Sequence, residues 1–204
     1  MLSGMRGAAA GCGCVLVWLL AGLALGRLCP AAGSGASVWG VRLAAGLLQA
    51  VPPLLLVRGL GLSGGELGCR RPGQGGFAPA ALALAVMLAG ALLLPGAPQA
   101  LPQGGAARVL AFLALCPAAA WAEELVFRGA VQGCFAASGL GGPRVAILLQ
   151  AVLFAGLHSG PAGMLYAMGM GLALGWLRQR TGSVWPGAAL HLLNNAAVFL
   201  SLLS

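Results

Sequence analysis

Two adjacent carboxylates, Glu123 and Glu124, stand in the stretch AEELVFRG at 122–129 of a chain whose only other acidic residue is Glu66. Glu124 and Arg128 are four apart, so on a helix they share a face and can pair. Glu123 is turned about 100° away at 3.6 residues per turn and addresses something else. The chain has two histidines. His158 closes FAGLH at 154–158, four residues after Phe154, and His191 opens HLLNN at 191–195, four residues before Asn195 and close to Asn194. Three apolar segments thus carry polar groups at turn-repeat spacing, and together they hold both histidines and the one Glu pair.

Such a set can do chemistry. A carboxylate desolvated among apolar helices moves toward the range of a useful general base. A histidine beside it can orient a shared water toward a carbonyl and later protonate the leaving amine. A second histidine and an amide can donate to the oxyanion that develops on attack. Glu123, His158, His191 and Asn195 therefore suit hydrolysis of a peptide bond by activated water, with no covalent nucleophile required. The same groups could hold a metal, since catalytic zinc takes about three protein ligands plus water and Glu123, His158 and His191 make a two-His, one-carboxylate set. The His-Glu-x-x-His spacing is absent, so spacing alone does not call for zinc. Taken one at a time each pair has a plain structural reading: an ion pair fixing helix register, a histidine at a helix end, and interhelical hydrogen bonds of the kind that join helices in lipid.

The elements that carry these groups are greasy. Of 204 residues 60% are hydrophobic and 7% charged, with a mean hydropathy of +0.96, which predicts an all-α, polytopic transmembrane bundle. A span needs about 20 mostly apolar residues, and seven runs qualify, around 9–28, 37–58, 77–95, 108–135, 144–158, 160–177 and 184–203. The first has Arg27 where a leader peptide would want a small residue, so a retained helix is expected. Gly, Pro and Ser clusters at 29–37, 61–76, 95–105 and 138–144 separate the runs. The reading divides the chain into N-terminal membrane helices over 1–105, about three spans, and a core over 106–204, about four, with the reactive cavity inside the bundle.

All eleven basic residues are Arg, and the formal net charge is +8. They lie scattered at the ends of apolar runs and form no basic stripe, which excludes a nucleic-acid partner. With a cytoplasmic N-terminus, alternation puts Arg6, Arg58, Arg70, Arg71, Arg144, Arg178 and Arg180 inside and Arg27 and Arg108 outside, in keeping with the positive-inside tendency. Arg42, near a helix start, is expected to snorkel to the interface. Cys12, Cys14, Cys29, Cys69, Cys116 and Cys134 follow no disulfide or zinc-knuckle spacing and read as small packing residues.

The ordered triplet EELVFR, FAGLH and HLLNN resembles the signature of the CPBP family of intramembrane proteases, which includes CAAX prenyl endopeptidases and bacterial bacteriocin-processing or self-immunity proteins. GLALGWLRQRTGSVWPGAALH at 171–191 is similar to the stretch that bacterial members place before the third motif. The resemblance covers about 106–200. It implies a helical endopeptidase of the bacterial inner membrane whose site opens to the cytosol and whose substrate is a membrane peptide or lipidated protein. It further implies Glu123 and His158 as activators of water, His191 and Asn195 as the oxyanion site, and Glu124, Arg128 and Phe154 as supports. The cofactor it implies is zinc or none. A silent membrane scaffold or immunity factor is the alternative, and inverted repeats that would favour a transporter are not evident.

Overall fold

The computed structural model describes residues 4–28, 35–93, 101–102 and 104–203. Among them are seven helical segments and no strand: α1 Gly4–Leu28, α2 Ala36–Gly59, α3 Phe77–Leu93, α4 Gly105–Ser138, α5 Gly142–Ala155, α6 Gly160–Thr181 and α7 Trp185–Ser201. Each coincides with one expected run. The all-α bundle is thereby seen, while the individual lengths differ from seven uniform spans. Gly4–Arg27, Ala36–Gly59 and Gly105–Ser138 are long and apolar enough to cross a membrane, and Phe77–Gly90 and Gly142–Ala155 are shorter apolar helices. Cys29 and most of the linkers at 29–37 and 95–105 lie outside the described residues.

Helix boundaries follow local chemistry. A turn at Ala50, just before Pro52 and Pro53, breaks α2 into Ala36–Gln49 and Val51–Gly59, because proline fits the first turn of a helix and not its interior. The α5 and α6 helices start with proline in their first turn, and α6 stops at Gly182, whose φ of +67° is the left-handed cap that glycine adopts freely. α4 runs 34 residues, about 51 Å at 1.5 Å per residue, and is not a regular α-helix. Its stretches Ala114–Ala118, which contains Pro117, and Glu124–Val131 are π-helical. The Ala119 N–H reaches back five residues to the Ala114 carbonyl. Proline 117 has no N–H to give to a regular ladder, and widened turns of this kind cluster at functional sites.

α4 is the axis of the bundle. The α2 helix and α7 pack on its first half, and α1 on its second half. Trp18, Phe127, Val131, Phe135 and Phe154 share the central core there. α5 and α6 pack against each other as a hairpin, with α3 outside α6. Buried glutamines stitch this side. Gln132 of α4 donates to the Gly175 carbonyl at 3.0 Å and Gln150 of α5 to that of Gly171 at 2.6 Å. The close approach needs glycine: a Cβ on Gly175 would lie 2.6 Å from the Gln150 amide nitrogen.

The two ends of the bundle differ. At one end the loop after α2 packs on the α6–α7 turn: Gly73 N–H bonds Thr181 O at 2.8 Å, Val184 N–H bonds Gly68 O at 3.0 Å, and Arg70 donates to Gly182 O at 2.8 Å. Arg178 donates to the Glu66 carbonyl. The turn between α5 and α6, which holds His158, lies at the other end. The Arg42 guanidinium sits 4.8 Å from the centre of the Trp39 ring. Cys14, Cys116 and Cys134 are buried, Cys12 and Cys69 exposed, and all five are free thiols.

Candidate active site

Three helices deliver the polar groups: α4, the C-terminal end of α5, and α7. The second π-helical stretch of α4 presents Glu124 and Arg128 inward, both essentially without solvent exposure, with Arg128 Nη1 2.9 Å from Glu124 Oε1. The expected pair is therefore present. Burying two charges is favourable only when both are compensated. Here the compensation is incomplete in hydrogen bonds: the guanidinium N–H groups and Glu124 Oε2 have no hydrogen-bond partner among the described residues. The cation instead rests 4.3 Å from the centre of the Phe154 ring, a contact that attracts by the ring quadrupole. Phe154 also meets Phe127 edge-on at 5.1 Å, His158 at 4.7 Å and His191 at 6.2 Å. Its support of the site is steric and electrostatic at once.

Glu124 has a second partner that sequence spacing gave no means of finding. His191 Nδ1 lies 3.0 Å from Glu124 Oε1. A carboxylate paired with a guanidinium only accepts, so Nδ1 carries the proton and Nε2 is left facing Glu123, whose Oε2 is 3.8 Å away. His158 is fixed in the same way. Its Nδ1 lies 2.9 Å from the Phe154 carbonyl, which can only accept, so the Nε2 lone pair remains available. Both tautomers are thus set by what the other ring nitrogen touches.

Glu123, His158, His191 and Asn195 line one cavity of about 290 Å³, together with Leu115, Ala119, Val198, Phe199 and Leu202. Glu123, a quarter exposed, is the open carboxylate, whereas Glu124 is closed in. Asn195 donates to the Leu115 carbonyl at 3.1 Å. Neighbouring Asn194 donates to Asn195 Oδ1 at 3.3 Å and accepts from the Tyr166 hydroxyl. Tyr166 and Asn194 were not picked out by motif spacing as a pair, since 28 residues separate them.

As placed, Glu123, His158 and His191 share a cavity without forming a metal-ligand set; no three His, Cys, Asp or Glu among the described residues are gathered closely enough to hold an ion. Ser63, within Gly61-Leu62-Ser63-Gly64-Gly65, has the letter spacing of a hydrolase nucleophile turn. Its hydroxyl is engaged by Glu66 at 2.8 Å, in the loop at the end opposite His158, so it is no part of this cavity.

The same helices α4 and α7, with α2, line a second cavity of about 510 Å³ that is almost wholly apolar, walled by Leu43, Leu113, Trp121, Trp185 and Leu192 among others. The two cavities share neighbouring residues of α7, a polar one beside a greasy one.

Residues 104–197 match the family described as Type II CAAX prenyl endopeptidase Rce1-like. The match spans all three motifs and six of the nine residues that line their cavity, and it is consistent with the resemblance to CPBP and CAAX proteases. No curated protein and no solved structure matches the chain.

Proposed function

We propose, from the premise that residues 104–197 form an Rce1-like CAAX endopeptidase segment, that the chain hydrolyses a peptide bond in a membrane-associated, lipid-bearing peptide at the Glu123 cavity. The single observation that carries this reading is the convergence on one cavity of Glu123, His158, His191 and Asn195, drawn from three helices far apart in sequence. The apolar cavity beside it suits the hydrocarbon part of such a substrate. The host is a multi-pass protein of a bacterial inner membrane.

The roles follow from the hydrogen bonds. Glu123 takes a proton from a water that His158, through its free Nε2, holds toward the scissile carbonyl. The water oxygen bonds to the carbonyl carbon as the C=O electrons move to oxygen. Asn195 donates an amide N–H to that oxyanion, and His191 does so from Nε2 when that nitrogen carries a proton, because Nδ1 is committed to Glu124. Collapse breaks the C–N bond and the amine leaves with the proton that Glu123 took from the water, handed over directly or through His158 Nε2. Glu124, Arg128 and Phe154 hold His191 and the π-helical turn in place.

The test is cleavage of a panel of lipidated and unlipidated amphipathic peptides by protein purified into liposomes, run with and without a chelator. Wild type cleaves at least one lipidated peptide; Glu123→Ala and His158→Ala each fall to nearly the same floor, since groups acting in one step are non-additive. Chelator resistance fits the cavity as placed. Retention of full cellular activity by both variants would instead assign the chain a non-proteolytic role.

A further inference from the structure

Asn195 is the end of a directed chain of hydrogen bonds. The Tyr166 hydroxyl of α6 donates to Asn194 Oδ1, Asn194 Nδ2 donates to Asn195 Oδ1 at 3.3 Å, and Asn195 Nδ2 donates to the Leu115 carbonyl of α4 at 3.1 Å. Tyr166 is the only tyrosine in the chain. Its polarity matters. An asparagine amide is nearly the same shape either way round, and its neighbours decide which end is oxygen. The Leu115 carbonyl can only accept, so it takes an N–H of Asn195. Asn195 then offers its oxygen to Asn194, and Asn194, having spent Nδ2, needs a donor for its own oxygen. Tyr166 supplies that donor.

The acceptor is itself a product of the irregular turn. Leu115 lies in the π-helical stretch with Pro117, where the Ala119 N–H goes to Ala114 and not, as in a regular helix, to Leu115. With one N–H on Leu115, Asn195 keeps its second N–H for the cavity that both residues line. The tyrosine is placed from outside the matched segment's own motifs: its ring packs against Gly90 of α3, where any Cβ would overlap it.

We infer that Tyr166 and Asn194 are positioning residues for the oxyanion step, clamping the Asn195 amide so that its free N–H points into the reactive cavity. This rests on the reading of Asn195 as an oxyanion donor. A clamp of this kind acts on the transition state and leaves ground-state binding alone. Loss of an oxyanion donor costs roughly 100–1,000-fold in kcat; loosening one through Tyr166→Phe costs a part of that, about 10-fold, with KM unchanged.

The experiment is a double-mutant cycle in the liposome assay with the best-cleaved peptide, paired with hydrogen exchange of the Asn195 side-chain amide in ¹⁵N-Asn-labelled protein. Tyr166→Phe lowers kcat and not KM in the wild-type background, has no further effect in Asn195→Ala, and speeds exchange of the Asn195 amide by about an order of magnitude while the melting temperature holds. Gly90→Ala, which displaces the ring without touching the hydroxyl, gives the same pattern more weakly. An unchanged kcat in Tyr166→Phe, or an equal loss in the Asn195→Ala background, overturns the clamp even though the protease reading stands. If wild type cleaves nothing, the protease reading fails, and unchanged exchange in Tyr166→Phe overturns the clamp on its own.

Discussion

His191 Nδ1 is held 3.0 Å from Glu124 Oε1, across 67 residues of sequence, and the same oxygen lies 2.9 Å from Arg128 Nη1. The buried carboxylate is thus a junction between a brace and a reactive group. It couples the register of α4 to the orientation of a histidine on α7.

Arg128 and Glu123 should separate in their effects. Arg128→Ala strands Glu124 as a buried, uncompensated charge, a loss of about 3–5 kcal/mol, and removes the cation facing Phe154. Glu123, open to the cavity, has no such partner within hydrogen-bonding distance. Thermal unfolding followed by fluorescence in detergent should show a large drop for Arg128→Ala and a change within about 1 kcal/mol for Glu123→Gln, with turnover lost in the latter. Equal destabilisation would remove the distinction between brace and base.

Glu124→Gln keeps the shape and changes the hydrogen-bond character. Its amide can present N–H to His191 Nδ1, which favours the opposite tautomer, so kcat should fall about 100-fold or more, by analogy with wrong-tautomer variants of catalytic triads, alongside a stability loss of about 3–5 kcal/mol because the buried Arg128 cation loses its carboxylate. Gly187→Ala is a steric companion. A Cβ there would sit 2.9 Å from Glu124 Oε2, so the carboxylate must shift, and kcat should drop without contact between the new methyl and the cavity. Wild-type rates in Gly187→Ala would show that the position of Glu124 is not critical.

The arginine count and the cytosolic opening implied by family resemblance favour opposite ends of this fold. The arginine-bearing loops meet at the 60–76 and 181–184 end, whereas Leu202 and His158, which line the cavity, lie at the other. With Cys12 and Cys29 replaced by Ser, an impermeant maleimide applied to oriented vesicles should label Cys69 and an introduced Leu203→Cys from opposite sides. The charge rule assigns the Cys69 side to the cytoplasm. Labelling of both from one side would break the seven-segment path across the bilayer.

Glu66 gives a pH dependence outside the membrane. The Ser63 N–H, then its hydroxyl, donates to Glu66 Oε2 at 2.7 and 2.8 Å and holds the carboxyl below its ordinary value. A depressed folded value means the stabilisation is present above the unfolded value and is lost as pH falls through the folded one. Protection of the Ser63 backbone amide, the intrinsic exchange rate at each pH relative to the observed one, should therefore fall on acidification through that range, and Ser63→Ala should shift the onset to higher pH. Protection at Ser63 that does not respond to acid would remove this account of the loop.

Much of the molecule is written in local pattern. Apolar runs bounded by Gly and Pro placed all seven helical segments, because burial of continuous hydrophobic stretches and the breaking power of Pro and Gly are local properties. The pairing of Glu124 with Arg128, and of Phe154 with His158, was legible for the same reason: residues four apart meet on any helix. The contact of His191 with Glu124, the tautomers of both histidines, and the run from Tyr166 through Asn194 and Asn195 to Leu115 were not. They depend on which helices become neighbours and on π-helical turns that change which carbonyls are free, and no spacing along one helix carries that information. Sequence supplied the groups; the packing of α4, α6 and α7 decided which atom of each faces the cavity.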